Sequence, residues 1–108
     1  MKRFKVNGKE YVAKELDFNA VCDLEEMGAN VTQINKNAMS VVRGYVAYCG
    51  NMAPEDAGKE IQEHVIKGQN FNDVIEIIKD QMLTSDFFRS LNQTEEEGTP
   101  TNQEKAKN

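Results

Sequence analysis

Arg3-Phe4-Lys5-Val6-Asn7-Gly8-Lys9-Glu10-Tyr11-Val12-Ala13 decides the first element of the fold. Phe4 and Val6 alternate with Arg3 and Lys5. In the run that follows, Tyr11 and Ala13 share one face. Between the runs stands Asn7-Gly8, a pair that tolerates positive φ at both turn positions, so residues 2–14 read as a β-hairpin. An isolated hairpin is marginal in water, so its apolar face must pack on something else in the chain.

Helical periodicity fills most of the remainder. Asp17 can cap a helix over about 17–27, whose stripe is Phe18, Val21, Leu24 and Met27, with Gly28 as the C′ stop. Val31 and Ile34 sit in a polar connector suited to a short turn. A second helix over about 38–49 has Met39, Val42, Val46 and Cys49 on its expected inner face, with Tyr45 beside them. Gly44 inside it points to close approach of another backbone. Pro54 opens a third helix, about 54–67, with Glu55 and Asp56 at its positive end and Ala57, Ile61 and Val65 as its stripe. Glu55 with Lys59 and Glu63 with Lys67 are spaced as i, i+4 ion pairs on an outer face.

Asn70 is placed to cap a fourth helix over about 71–91. Its apolar positions are Phe71, Val74, Ile75, Ile78 and Met82, continuing into Phe87, Phe88 and Leu91. Ser85-Asp86 either breaks this helix or restarts it. From Asn92 to Asn108 no large apolar residue occurs, and the composition predicts a disordered acidic and polar tail. The expected fold is α+β, mainly α. A single globular domain over residues 1–91 comprises the N-terminal hairpin and about four helices packed as a small bundle.

The totals restrict function. The chain has 108 residues, which fits one domain, and 13 basic against 18 acidic side chains give a net charge of -5. An acidic surface repels phosphates, so generic nucleic-acid binding is disfavoured. The basic side chains Lys2, Arg3, Lys5, Lys9 and Lys14 cluster in the hairpin, but lysines on edge strands also serve to block unwanted pairing. No run approaches the about 20 apolar residues needed to cross a bilayer, and no signal peptide is evident, so an intracellular, non-membrane protein is expected.

Cys22 and Cys49 form no CxxC pair, and with one histidine they complete no zinc spacing. His64 has no nucleophile motif around it and reads as a residue at the edge of a helix. Glu25 and Glu26 are adjacent on a helix and so do not face each other. No phosphate-loop, EF-hand or dinucleotide pattern occurs. We therefore expect no catalytic residues, no metal and no cofactor.

Two blocks carry a resemblance. One is Leu16-Asp17-Phe18-Asn19-Ala20-Val21-Cys22-Asp23-Leu24-Glu25-Glu26-Met27-Gly28, and the other is Ser85-Asp86-Phe87-Phe88-Arg89-Ser90-Leu91. With the Val6-to-Tyr11 hairpin and the Ala57-Gly58, Ile61 and His64-to-Gly68 positions between them, they resemble the small tail assembly chaperones of long-tailed phages and prophages of Gram-positive bacteria. The resemblance covers about residues 4–91. It implies a non-enzymatic protein of the host cytoplasm, absent from the mature virion. Such a protein binds the tape measure protein, keeps it soluble and helps tail tube protein polymerise around it. In many relatives a ribosomal frameshift yields a longer form, whose extension would begin near Asn92.

Self-association is compatible with such a role. The segment expected to meet the client contains Phe71, Val74, Ile78, Phe87, Phe88 and Leu91. The competing reading, above all for Val74 and Ile78, is that these form the domain's own core. Other function classes are a head–tail or tail structural subunit, a small DNA-binding regulator, and, third, an enzyme.

Overall fold

The computed structural model describes residues 2–97, with side chains as far as Leu91. Strands β1 (Arg3–Val6) and β2 (Lys9–Val12) form the antiparallel hairpin, in the register Phe4 opposite Tyr11 and Val6 opposite Lys9. The turn has φ of 54° at Asn7 and 79° at Gly8, the two positive values that a two-residue turn following the strand twist requires. Alternation does the rest. Phe4, Val6, Tyr11 and Ala13 are buried, while Arg3, Lys5 and Lys9 face solvent. The Phe4 and Tyr11 rings stack across the strands at 5.2 Å, and Phe4 also stacks on Tyr45 at 6.0 Å.

Helix α1 spans Phe18–Glu26. The Asp17 carboxylate accepts the Ala20 N–H at 2.8 Å, satisfying one of the orphan donors of the first turn. At its other end the Gly28 N–H reaches the Glu25 carbonyl and the Ala29 N–H the Leu24 carbonyl, a Schellman closure with Gly28 at φ 83°. A 3-10 turn at Val31–Gln33 follows, capped by Asn30, and it buries Val31 and Ile34. Helices α2 (Ala38–Gly50), α3 (Pro54–Ile66) and α4 (Asn72–Thr84) come next, then α5 (Asp86–Glu97).

Helix α2 is the axis of the molecule. It packs against α1, α3, α4, β2 and the 3-10 turn, and it buries Val41, Val42, Tyr45, Val46 and Ala47. The expected inner face needs correction here. Val41 and Tyr45 lie fully inside, whereas Met39 is 77% exposed. A helix covered from several directions buries a broad arc, and Met39 lies at the edge of that arc. The expected close approach at Gly44 is present: a Cβ there would overlap Ala29 Cβ and lie 3.8 Å from Ala29 Cα.

The apolar pattern over 71–91 is not one helix. It stops at Thr84 and restarts at Asp86, because Ser85 takes an extended ψ of 130° and becomes a cap. The Ser85 hydroxyl is completely buried. It donates to the Leu16 carbonyl at 2.7 Å and accepts the Phe88 N–H at 3.4 Å. Helix α5 then continues to Glu97, into the stretch expected as a tail, since each further residue adds one helical hydrogen bond once a capped turn exists. The remainder of that expected tail, residues 98–108, lies outside the described residues.

The connector from β2 to α1 has no regular structure, and its carbonyls are held from two sides. Ser85 holds that of Leu16, and the buried Tyr45 hydroxyl donates to that of Lys14 at 2.7 Å. These bonds satisfy carbonyls that a loop running beside the core would otherwise leave unpaired.

Candidate protein-binding site

The six side chains expected at a client surface divide into two groups. Val74, Ile78 and Phe88 are 1%, 0% and 5% exposed, so they belong to the core, though Phe88 also forms part of the floor of a surface depression. Phe71 and Phe87 are half-buried against that core, and Leu91 is exposed. Neighbouring phenylalanines on a helix point about 100° apart. Phe88 therefore turns inward, and the Phe87 ring is met edge-on by exposed Phe18 at 5.6 Å.

A second stretch of unpartnered apolar surface lies elsewhere. Met39, Val65 and Ile66 are 77%, 44% and 73% exposed. With Val42, Ile61 and Phe71 they line a groove between α2 and α3 of about 340 Å³, closed at one end by the start of α4. A second depression, about 540 Å³, lies between the 3-10 turn, α4 and α5, where Met82, Leu83 and Leu91 meet Lys79 and Asn35. The first is almost wholly apolar in its lining, whereas the second mixes polar and apolar groups.

Sequence reasoning counted Met39 and Val65 as core, and the signal against that lay in the spacing. Ala57, Ile61 and Val65 are four residues apart, and each step of four advances about 40° around the helix. By Val65 the stripe has turned about 80° from Ala57. Ala57 is accordingly buried, Ile61 half-buried and Val65 exposed.

The other edge of α3 is polar and fully engaged. The Asn7 N–H at the hairpin tip donates to His64 Nδ1 at 2.9 Å. Nδ1 is thus the acceptor, the ring proton sits on Nε2, and Nε2 donates to the Asn70 carbonyl at 2.9 Å. Glu60 accepts from Asn7 Nδ2 at 3.0 Å and from Lys9 Nζ at 3.1 Å. These bonds, the one from Asn7 foremost, hold the Glu60 carboxyl below its ordinary range, and Glu60 in turn raises Lys9. Lys67 reaches Asn7 Oδ1 at 2.8 Å, so it does not serve the ion pair with Glu63 that its spacing suggested. Glu60 too faces the hairpin tip.

His64 has both ring nitrogens committed to the backbone. Burial pushes the Cys49 thiol up, which keeps it protonated and a poor nucleophile. Both cysteines are free. Among the described residues no group of three or more His, Cys, Asp or Glu side chains is placed to hold a metal ion, and no helix is long and apolar enough to cross a membrane. The basic cluster of the hairpin is largely matched: Lys2 pairs with Asp80, Arg3 with Glu10 and Lys9 with Glu60, while Lys14 bonds Asn51 and lies over the Tyr48 ring.

Comparison with family models, with curated proteins and with solved structures finds no match to this chain.

Proposed function

We propose that this protein is a non-enzymatic tail assembly chaperone of a phage or prophage, which holds the tape measure protein soluble in the host cytoplasm until tail tube protein replaces it. The observation that carries the reading is the open, almost wholly apolar groove between α2 and α3, bordered by exposed Met39, Val65 and Ile66. A long helical client with unpartnered apolar stripes is bound reversibly by such grooves, one chaperone copy per short segment. Each contact buries little and is weak, and many copies along one client supply the avidity. Weakness suits the task, because the polymerising tube must win the exchange.

The matched charges of the hairpin and the net acidity support a protein partner over nucleic acid. The test is co-expression with the tape measure protein of the same genome, followed by pull-down and a solubility assay. Soluble client co-purifying with several copies of this chain is the expected result. Client that stays insoluble, with nothing co-purifying, rejects the reading. Mass spectrometry of purified virions checks the second half of the proposal, since a chaperone is displaced and a structural subunit remains.

A further inference from the structure

The α2–α3 groove has one charged side chain in its wall. Arg43 follows Met39 by one turn on α2, and its stem passes over α3 at Gly58, where a Cβ would lie 3.4 Å from Arg43 Cδ. Among the described residues its guanidinium has no ion pair, although carboxylates outnumber basic groups in the chain. Lys2, Arg3, Lys9 and Arg89 form ion pairs and, among the described residues, Arg43 does not, and its place sets it apart, since it is the charged side chain lining the most apolar groove. A guanidinium next to apolar surface gains most from a carboxylate that arrives together with a body that excludes water.

We propose that this groove selects an amphipathic helix of another protein that carries an acidic residue at the edge of its apolar stripe. The stripe lies on Ile61, Val65, Ile66 and Phe71, and the carboxylate pairs with Arg43. The proposal rests on the chaperone reading for its biological client, but it specifies the recognition chemistry independently. A second copy of this chain is the less fitting occupant. The exposed large apolar side chains of the groove are Met39, Val65 and Ile66, a small patch beside the about 800 Å² per partner that a stable dimer buries. A single docked helix is matched to that size.

The experiment titrates 15N-labelled protein with two synthetic helical peptides of the same leucine stripe, one edged with glutamate and one with lysine. The expected result is saturable shifts at Met39, Val65 and Ile66, with the glutamate peptide binding about three- to fivefold tighter. Arg43→Glu reverses that preference, and Ile66→Asp removes the shifts while the thermal unfolding transition stays as in wild type. Shifts centred on Leu83 and Leu91, equal affinity for the two peptides, or no saturable binding overturns the proposal. So does concentration-dependent sedimentation of the protein alone that Ile66→Asp abolishes, because the groove is then the seat of self-association. The two proposals fail separately. A tape measure protein that is not solubilised, with the peptide results intact, rejects the client and keeps the groove. Solubilisation that survives Ile66→Asp, with no groove shifts, does the reverse.

Discussion

The two edges of α3 are built on opposite plans. One edge, through Glu60, His64 and Lys67, fixes the hairpin tip with directional hydrogen bonds at 2.8 to 3.0 Å. The other, through Val65 and Ile66, is apolar and bare. Directional bonds admit one arrangement of partners and suit a permanent contact. Apolar surface accepts any stripe of about the right width and suits an exchangeable one. One helix therefore serves as a structural tie on one edge and leaves apolar surface unpartnered on the other, and substitutions on the two edges should separate stability from the proposed binding.

The largest effect is expected where both edges depend on a common support. Gly44→Ala forces α2 away from Ala29 and should cost about 1–3 kcal/mol in urea unfolding, less the helix-propensity gain of alanine. Ser85→Ala should cost a similar amount, about 1–3 kcal/mol, because it removes the α5 cap and strands the Leu16 carbonyl. Two buried tyrosines sharpen the point about directional bonds. Tyr45→Phe orphans the Lys14 carbonyl and should destabilise by about 1–2 kcal/mol. The Tyr11 hydroxyl is buried with no hydrogen-bond partner among the described residues, so Tyr11→Phe should be neutral or stabilising in the same assay.

Smaller effects belong to the polar edge itself. His64→Ala should cost about 1 kcal/mol, visible as faster hydrogen exchange at the Asn7 amide before any global change. Glu60 has a carboxyl held below its ordinary value of 4.5, so its contribution to stability is present above that value and fades as pH falls through the lower folded one. Glu60→Gln should flatten the acid limb of a thermal-stability profile there, and added salt should shrink the difference. The least effect on stability, within about 0.5 kcal/mol, is expected for Ile66→Asp on the bare edge, where co-purification of client should nonetheless fall.

The sequence made the element types legible because turn and cap chemistry is local. Asn7-Gly8, Asp17, Gly28 and Pro54 each act within a few residues of themselves, and the structure places all four as expected. Gly44 was legible for the same reason, as a missing side chain where a helix ordinarily has one. What escaped was whatever another element decides. Ser85-Asp86 was legible as a break or a restart, but the Leu16 carbonyl that holds the Ser85 hydroxyl stands 69 residues away in the chain. Periodicity marked Val74, Ile78, Val65 and Met39 alike as apolar positions. Only the assembled neighbours bury the first two and leave the others bare. Of the expected client segment, Val74, Ile78 and Phe88 are core residues, while Phe71, Phe87 and Leu91 keep some exposed surface.

The Ser85-to-Leu16 bond joins positions 69 residues apart. A chain emerging residue by residue from the ribosome can close the hairpin and wind α1 early, since those contacts are nearby in sequence. Tyr45 can then hold the β2–α1 connector at Lys14, but its second tie, at Leu16, cannot form until the junction of α4 and α5 has been made. That tie on the N-terminal third therefore waits until nearly the whole described chain is present.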